Sequence, residues 1–118
     1  MISYDVIECG QPLVKSERAT PRPVGDQVLV RIGAGGICGS DLHYYLHGGF
    51  GVVRVKQPIV LGHEVAGTVE AVGSKVTRVK AGDRIALNPS RPCGKCKFCQ
   101  EGQHHHCLDM WFYGSAMR

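Results

Sequence analysis

The segment from Gly62 to Gly73 reads Gly-His-Glu-Val-Ala-Gly-Thr-Val-Glu-Ala-Val-Gly and combines a polar start with a β-type continuation. Its valines predict a long strand over residues 65–73, in which Gly67 marks a bend or a close approach of another backbone segment. His63 and Glu64 precede that strand and carry side chains that bind protons and metals. An isolated His-Glu pair is more often a surface feature, so the segment alone does not establish a site.

Shorter β-type segments lie on both sides of this predicted strand. Residues 28–32 follow a cluster of proline and glycine, and residues 84–87 end at an Asn-Pro pair. We predict one helix over residues 40–47, with Ser40 as its N-cap, and Gly48-Gly49 as its end. Many short strands separated by glycine and proline predict a mainly β barrel or sandwich.

The composition excludes several classes of protein. The 118 residues carry 14 Lys+Arg against 10 Asp+Glu, and 43 % are hydrophobic, which is typical of one folded domain rather than a disordered chain. The apolar runs are far shorter than the ~20 residues of a membrane helix. The net charge of +4 is mild and scattered, which argues against nucleic-acid binding. No export signal is visible at the N-terminus, so we expect a cytoplasmic protein with reduced thiols.

Four of the six cysteines have the spacing C-x2-C-x2-C-x7-C. Four thiolates so close together suit tetrahedral Zn²⁺, and a site closed by four protein ligands is structural. The predicted zinc lobe covers residues 89–108, with Lys95 and Lys97 offsetting its negative charge. The four predicted ligands are Cys93, Cys96, Cys99 and Cys107.

Two alternatives exist for this lobe. Four unligated thiols at such spacing would be a chemical liability. An iron–sulfur cluster fits the first three cysteines, but the ferredoxin pattern places its fourth cysteine after three residues with proline behind it, where this chain has seven residues and then Leu108. Residues 104–106, three histidines, are interpreted as a solvated loop because four sulfurs already complete a tetrahedron.

A second group of metal-capable side chains comprises Cys38, His63 and Glu64. Together they would form a mixed sulfur, nitrogen and oxygen site with a coordination position open for water or substrate. From the composition alone this is a weak prediction, since a lone cysteine at a strand end is more often buried as a hydrophobe.

The order of the motifs gives a stronger indication. The pattern Gly62-His63-Glu64-x-x-Gly67-x5-Gly73-x-x-Val76, the segment 38–43 (Cys-Gly-Ser-Asp-Leu-His) and the four-cysteine lobe occur in sequence and cover nearly the whole chain. In these three motifs the chain resembles the zinc-dependent medium-chain alcohol and polyol dehydrogenases. Residues 88–94 and 109–117 resemble the L-idonate 5-dehydrogenase branch of that family.

The resemblance implies a fold and two metal ions. Residues 1–118 would form part of a mainly β, GroES-like catalytic domain that carries the structural zinc lobe, apparently truncated before the Rossmann domain that binds NAD or NADP. Cys38, His63 and Glu64 would hold a catalytic zinc, and Asp41 would accept a hydrogen bond from the other nitrogen of His63. The full-length enzyme would be a homo-oligomer.

The resemblance also implies an activity: hydride transfer from a secondary alcohol of a polyol or aldonate to NAD(P), with L-idonate to 5-ketogluconate favoured. Ser40 would take the alcohol proton and His43 would relay it to solvent. Tyr44 matches a substrate-pocket aromatic, with core packing as an equal alternative. An aldonate carboxylate needs a cation, for which Arg54, Lys56 and Arg91 are unranked candidates. Two other functions are open, a non-catalytic zinc-binding fragment and an iron–sulfur protein.

Overall fold

The computed structural model describes residues 1–116, and within them strands dominate, as the sequence predicts. Met117, the last residue of the segment 109–117 considered above, lies outside the described residues. The strands are β1 (Ile2–Val6), β2 (Val14–Glu17), β3 (Val28–Gly35), β4 (Gly49–Phe50), β5 (Val53–Arg54), β6 (Ile59–Val60), β7 (Val65–Val72), β8 (Arg84–Ala86), β9 (Ser90–Arg91) and β10 (Trp111–Phe112). The helices are α1 (Gly39–His47), the short α2 (Lys97–Gln100) and a 3₁₀ turn over His104–His106. In this described range, no helix is both long and apolar enough to cross a membrane.

The three strands predicted around the Gly62 segment form one antiparallel sheet, in the order β3-β7-β8. Strand β7 lies in the middle and has the valine-rich sequence expected of a central strand. Gly67 is a point of close approach, as predicted, because the carbonyl oxygen of Arg31 occupies the space that a Cβ at residue 67 would need. The register of β3 against β7 shifts between Ile32 and Ala34.

Three smaller sheets complete the β structure: β2-β1-β6, the β4-β5 hairpin and the β9-β10 pair. Within residues 1–116 these sheets remain open, and their strands do not close into a complete barrel. The first of them buries Asp5, whose carboxylate accepts a hydrogen bond of 2.6 Å from the guanidinium of Arg18. Residues 2–6 and 14–17 were not predicted as individual strands. Strand β1 alternates apolar and polar residues, but it buries Ser3 and Asp5 and exposes Ile2 and Tyr4.

Helix α1 begins one residue earlier than predicted, and its N-cap is Cys38 rather than Ser40. The backbone N–H of Cys38 donates to Oδ2 of Asp41 at 2.9 Å, so the carboxylate three residues into the helix closes its first turn. The N-cap prediction for Ser40 is therefore wrong. The predicted end is confirmed, since Gly48 adopts the left-handed conformation (φ 67°) that caps a helix C-terminus.

Among residues 1–116, the largest fully buried side chains are Tyr44, Val6, Val69 and Asp5. Helix α1 buries Asp41 and Tyr44, whereas its Leu42 and Leu46 are about half exposed. The helix therefore buries one polar and one aromatic side chain, and this orientation places Asp41 beside His63.

Candidate active site

The pairing of β3 with β7 brings the two halves of the second metal motif together. Gly35 pairs with Val65 at the end of the ladder, and the backbone N–H of Gly36 donates to the carbonyl oxygen of Glu64 at 2.7 Å. The chain leaving β3 toward Cys38 therefore lies beside the chain that enters β7 from His63. Residues that are 25 positions apart in sequence become neighbours through this register.

Cys38, His63 and Glu64 converge as the sequence predicts. One potential ligand atom from each lies within 4.8 Å of the others. His63 is buried, Cys38 is partly buried and Glu64 is exposed, so the group opens to solvent on the side of the carboxylate. Gly36 gives that carboxylate its space, since a Cβ at residue 36 would lie 2.5 Å from Oε2 of Glu64.

Asp41 faces the ring of His63. Its Oδ1 lies 3.5 Å from Nδ1 of His63, and both side chains are more than nine-tenths buried. Neither of these two atoms has a hydrogen-bond partner within the described residues. Since a buried imidazole that binds a metal usually donates its other N–H to a carboxylate, Nε2 is the nitrogen left for a metal. The unpartnered atoms and the mixed donor set both fit a metal at this position.

Two residues behind His63 were not identified from the sequence. The ring of Phe112 meets the His63 ring edge-on, with centroids 5.2 Å apart. Gly114, at φ 70°, packs against the Gly62–His63 peptide so closely that a Cβ there would overlap the carbonyl oxygen of Gly62. The segment after the cysteine lobe thus braces the imidazole, a contact between positions about fifty residues apart with no local signal.

The predicted proton-relay residues lie on α1. Ser40 is partly buried in the first turn, and His43 is exposed one turn later, so the two share one face of the helix. The ring of His43 lies near that of Phe50, with centroids 6.1 Å apart. Ser40 is free of the N-cap role, which Cys38 holds.

Tyr44 has no accessible surface. Its side chain is 0 % exposed, and its ring lies 5.4 Å from that of Phe50, centroid to centroid. Of the two roles considered for Tyr44, core packing is the one this structure supports. The assignment of Tyr44 to a substrate pocket stays a prediction.

The four-cysteine lobe also assembles. One ligand atom from each of its cysteines lies within 4.8 Å of the others. Helix α2 carries Cys99 and its N-cap is Cys96, and the 3₁₀ turn returns the chain to Cys107. The three histidines of that turn are exposed, in keeping with the predicted solvated loop.

Backbone N–H groups surround the sulfurs of this lobe. Those of Leu108 and Cys99 lower the pKa of the Cys96 thiol to about 6, whereas burial raises the pKa of the Cys99 thiol to about 12. Cys107 Sγ accepts hydrogen bonds from the N–H of Cys93 at 3.2 Å and of Asp109 at 3.4 Å. The N–H groups favour thiolates, and a cation at the centre would offset the burial of Cys99.

The geometry agrees with the comparisons with known proteins. Residues 25–117 match the alcohol dehydrogenase GroES-like domain family. The chain belongs to that family. This GroES-like domain is 53 % identical over 89 residues to the L-idonate 5-dehydrogenase (NAD(P)(+)) of Escherichia coli K12 and 51 % identical over 87 residues to the sorbitol dehydrogenase of Bacillus subtilis 168. These matches cover 75 % and 74 % of the chain and 25 % of each relative.

Solved structures give the same fold. The Escherichia coli L-idonate 5-dehydrogenase superposes with a TM-score of 0.78 and 41 % identity over 99 % of this chain and 33 % of that one. Galactitol-1-phosphate dehydrogenase from Escherichia coli superposes with a TM-score of 0.88 and 35 % sequence identity. That match covers 98 % of this chain and 32 % of the other. The mainly β, GroES-like prediction is confirmed, as is the resemblance to the zinc-dependent medium-chain dehydrogenases. This GroES-like domain spans about a quarter of the length of the curated relatives it matches.

Proposed function

We propose that this GroES-like domain is the catalytic part of a zinc-dependent dehydrogenase that transfers a hydride from a secondary alcohol to NAD or NADP. The observation that carries the proposal is the convergence of Cys38, His63 and Glu64 within 4.8 Å. These three residues would hold the catalytic zinc and leave a position open, and the four-cysteine lobe would hold a structural zinc.

Each residue around the site would have a separate role. When bound, zinc supplies a Lewis acid that lowers the pKa of a substrate hydroxyl, and nicotinamide supplies the hydride acceptor. Asp41 fixes the ring orientation of His63 through its Oδ1. Ser40 Oγ would accept the hydroxyl proton while giving up its own proton toward the exposed imidazole of His43, which would release a proton to solvent. The contacts of Phe112 and Gly114 with His63 restrict the orientation of its ring.

The substrate class we propose is a polyol or an aldonate, with oxidation of L-idonate to 5-ketogluconate favoured. Support comes from the relatives, whose names specify L-idonate in one case and sorbitol in another at nearly equal identity. Both are open-chain sugar derivatives rich in secondary hydroxyls, so the coarser class covers both. The segments 88–94 and 109–117, whose sequences resemble the L-idonate branch, favour the acid.

Turnover tests this proposal. A hybrid enzyme would carry residues 1–118 in place of the matching N-terminal part of the Escherichia coli L-idonate 5-dehydrogenase, and nicotinamide reduction would be followed by absorbance. We expect oxidation of L-idonate that Cys38→Ala abolishes and that Cys9→Ser leaves unchanged, since Cys9 is exposed and belongs to neither sulfur group. Normal turnover by the Cys38→Ala hybrid would overturn the assignment.

A second candidate is a zinc-binding module without chemistry of its own. It is favoured by the difference between the two groups, since the lobe offers four ligands and the group at Cys38 offers three. One zinc per chain, lost on substitution in the lobe alone, would support this candidate. Two zinc per chain would support the dehydrogenase.

A further inference from the structure

The three cationic side chains that could bind a substrate carboxylate line two different cavities. Arg54 and Lys56 line one cavity of about 340 Å³, together with residues that follow the cysteine lobe. Arg91 lines a different cavity with Lys95 and Asp109. Among the described residues that line the first cavity none is acidic, whereas the second contains a carboxylate beside its cations.

Arg54 and Lys56 lie two residues apart and line the same cavity. The backbone N–H of Val55 between them donates to the carbonyl oxygen of Gly48 at 2.9 Å, which holds this part of the chain beside the end of α1. The guanidinium of Arg54 donates to the carbonyl oxygen of His47 at 3.3 Å. Arg54 is therefore held against the end of α1, the helix that carries Ser40 and His43, and Lys56 lines the same cavity two residues further on.

The cavity is also lined by Cys107, a ligand of the proposed structural zinc, and by Leu108, Met110 and Ala116 from the segment that follows it. Ala116 follows Gly114 by two residues, a reach of at most about 7 Å, and Gly114 packs on the Gly62–His63 peptide. The cavity is therefore lined by the chain segment whose Gly114 contacts the Gly62–His63 peptide, and by Arg54, which bonds to the C-terminal end of α1.

We infer that Arg54 and Lys56 bind the anionic end of the substrate and select a sugar acid over a neutral polyol. The inference rests on the proposed function and adds its specificity determinant. A carboxylate or a phosphate would satisfy two cations equally well, and we assign the carboxylate because it lies near the opposite end of L-idonate from the hydroxyl at carbon 5. An open cavity of this size suits a small acyclic ligand.

Ligand-observed NMR on the 118-residue chain tests the inference without requiring turnover. The probes are L-idonate, galactitol 1-phosphate and sorbitol. We expect the dissociation constant for L-idonate to rise roughly tenfold in Arg54→Gln and in Lys56→Gln. Sorbitol binding should be unchanged, and the matched control Arg91→Gln should behave as wild type for all three probes. Added salt should weaken only the binding of the anions.

Three outcomes would overturn the inference: no binding of L-idonate, equal weakening by Arg91→Gln, or equal effects on sorbitol. Binding of galactitol 1-phosphate without binding of L-idonate would likewise overturn the assignment of a carboxylate and would indicate a phosphate as the ligand of the two cations. Kinetics of the hybrid enzyme distinguish a failure of the cation assignment from a failure of the proposed function. If the hybrid oxidises sorbitol and L-idonate with equal KM and both cation variants leave KM unchanged, the dehydrogenase stands and the cation assignment fails.

Discussion

Oδ1 of Asp41 lies 3.5 Å from Nδ1 of His63 in a buried position where neither atom has another partner within residues 1–116. The other carboxylate oxygen of Asp41 accepts the backbone N–H of Cys38. One carboxylate therefore ties the helix start, which carries one proposed ligand, to the imidazole of a second. This link makes the geometry of the proposed catalytic metal group depend on a residue that does not itself bind the metal.

Asp41→Asn should weaken zinc binding at the Cys38 group by about 10–100-fold, because the amide removes the charge that orients and polarises His63. The lobe zinc should be retained. Asp41→Ala should show the same loss and in addition lower the free energy of unfolding by about 1 kcal/mol, since it also removes the acceptor at the helix N-terminus. Competition with a chromogenic chelator measures both affinities. Unchanged zinc affinity in Asp41→Asn would show that the pair has no role in metal binding.

Gly114→Ala should displace His63 and release the zinc of the Cys38 group while the lobe keeps its own. A Cβ at residue 114 overlaps the Gly62 carbonyl, and the positive φ adds strain of about 1–2 kcal/mol. The matched control is Gly10→Ala, at φ 74° in open space, which carries the strain without the overlap. Zinc content and thermal unfolding of both variants decide the matter, and equal behaviour of the two would rule out a bracing role for Gly114.

His43→Gln should lower kcat of the hybrid enzyme by about 10²–10⁴-fold, because the relay to solvent is interrupted. His47 is one turn further along α1 and also exposed, so His47→Gln is the control and should have little effect. Imidazole added to the solvent should restore part of the activity of His43→Gln. A similar loss in both variants, with no rescue, would indicate a structural effect instead.

Stability in acid should depend on Asp5. Hydrogen bonds from Ser16 and Arg18 hold the pKa of this buried carboxyl below its usual value. Because the folded pKa is depressed, the stabilisation is complete above the unfolded pKa and is lost as the pH falls through the folded one. Asp5→Asn should therefore destabilise the chain at pH 7 and flatten the acid limb of its unfolding profile. Glu70→Gln, which removes an exposed ion pair with Arg31, should change stability by less than about 1 kcal/mol.

Much of the fold follows from local pattern. Strands β3, β7 and β8 and helix α1 lie within a few residues of their predicted bounds because valine-rich runs and glycine ends carry strong local signals. The N-cap was misassigned to Ser40 because the cap depends on which backbone N–H meets the Asp41 carboxylate. Short pairs such as β9-β10 owe their form to partners distant in sequence.

The sequence predicts the candidate ligand residues but not the residues that support them. The ligand residues are recognisable from motif spacing, and the ladder of β3 with β7 brings them together. The support from Phe112 and Gly114, and the placement of Leu108 and Ala116 beside the cavity of Arg54, arise from tertiary contacts that no local pattern encodes. The burial of Tyr44 also depends on tertiary structure, because the orientation of α1 places its ring in the core.

The metal content of purified protein tests the two sites together most directly. Zinc and iron per chain would be measured for the wild type, Cys38→Ala, Cys96→Ser and the control Cys9→Ser. We expect two zinc in the wild type and in Cys9→Ser, one in each of the other variants, and no iron. One zinc in the wild type with the same content in Cys38→Ala, or bound iron in its place, would contradict the existence of a catalytic zinc held by Cys38 and His63.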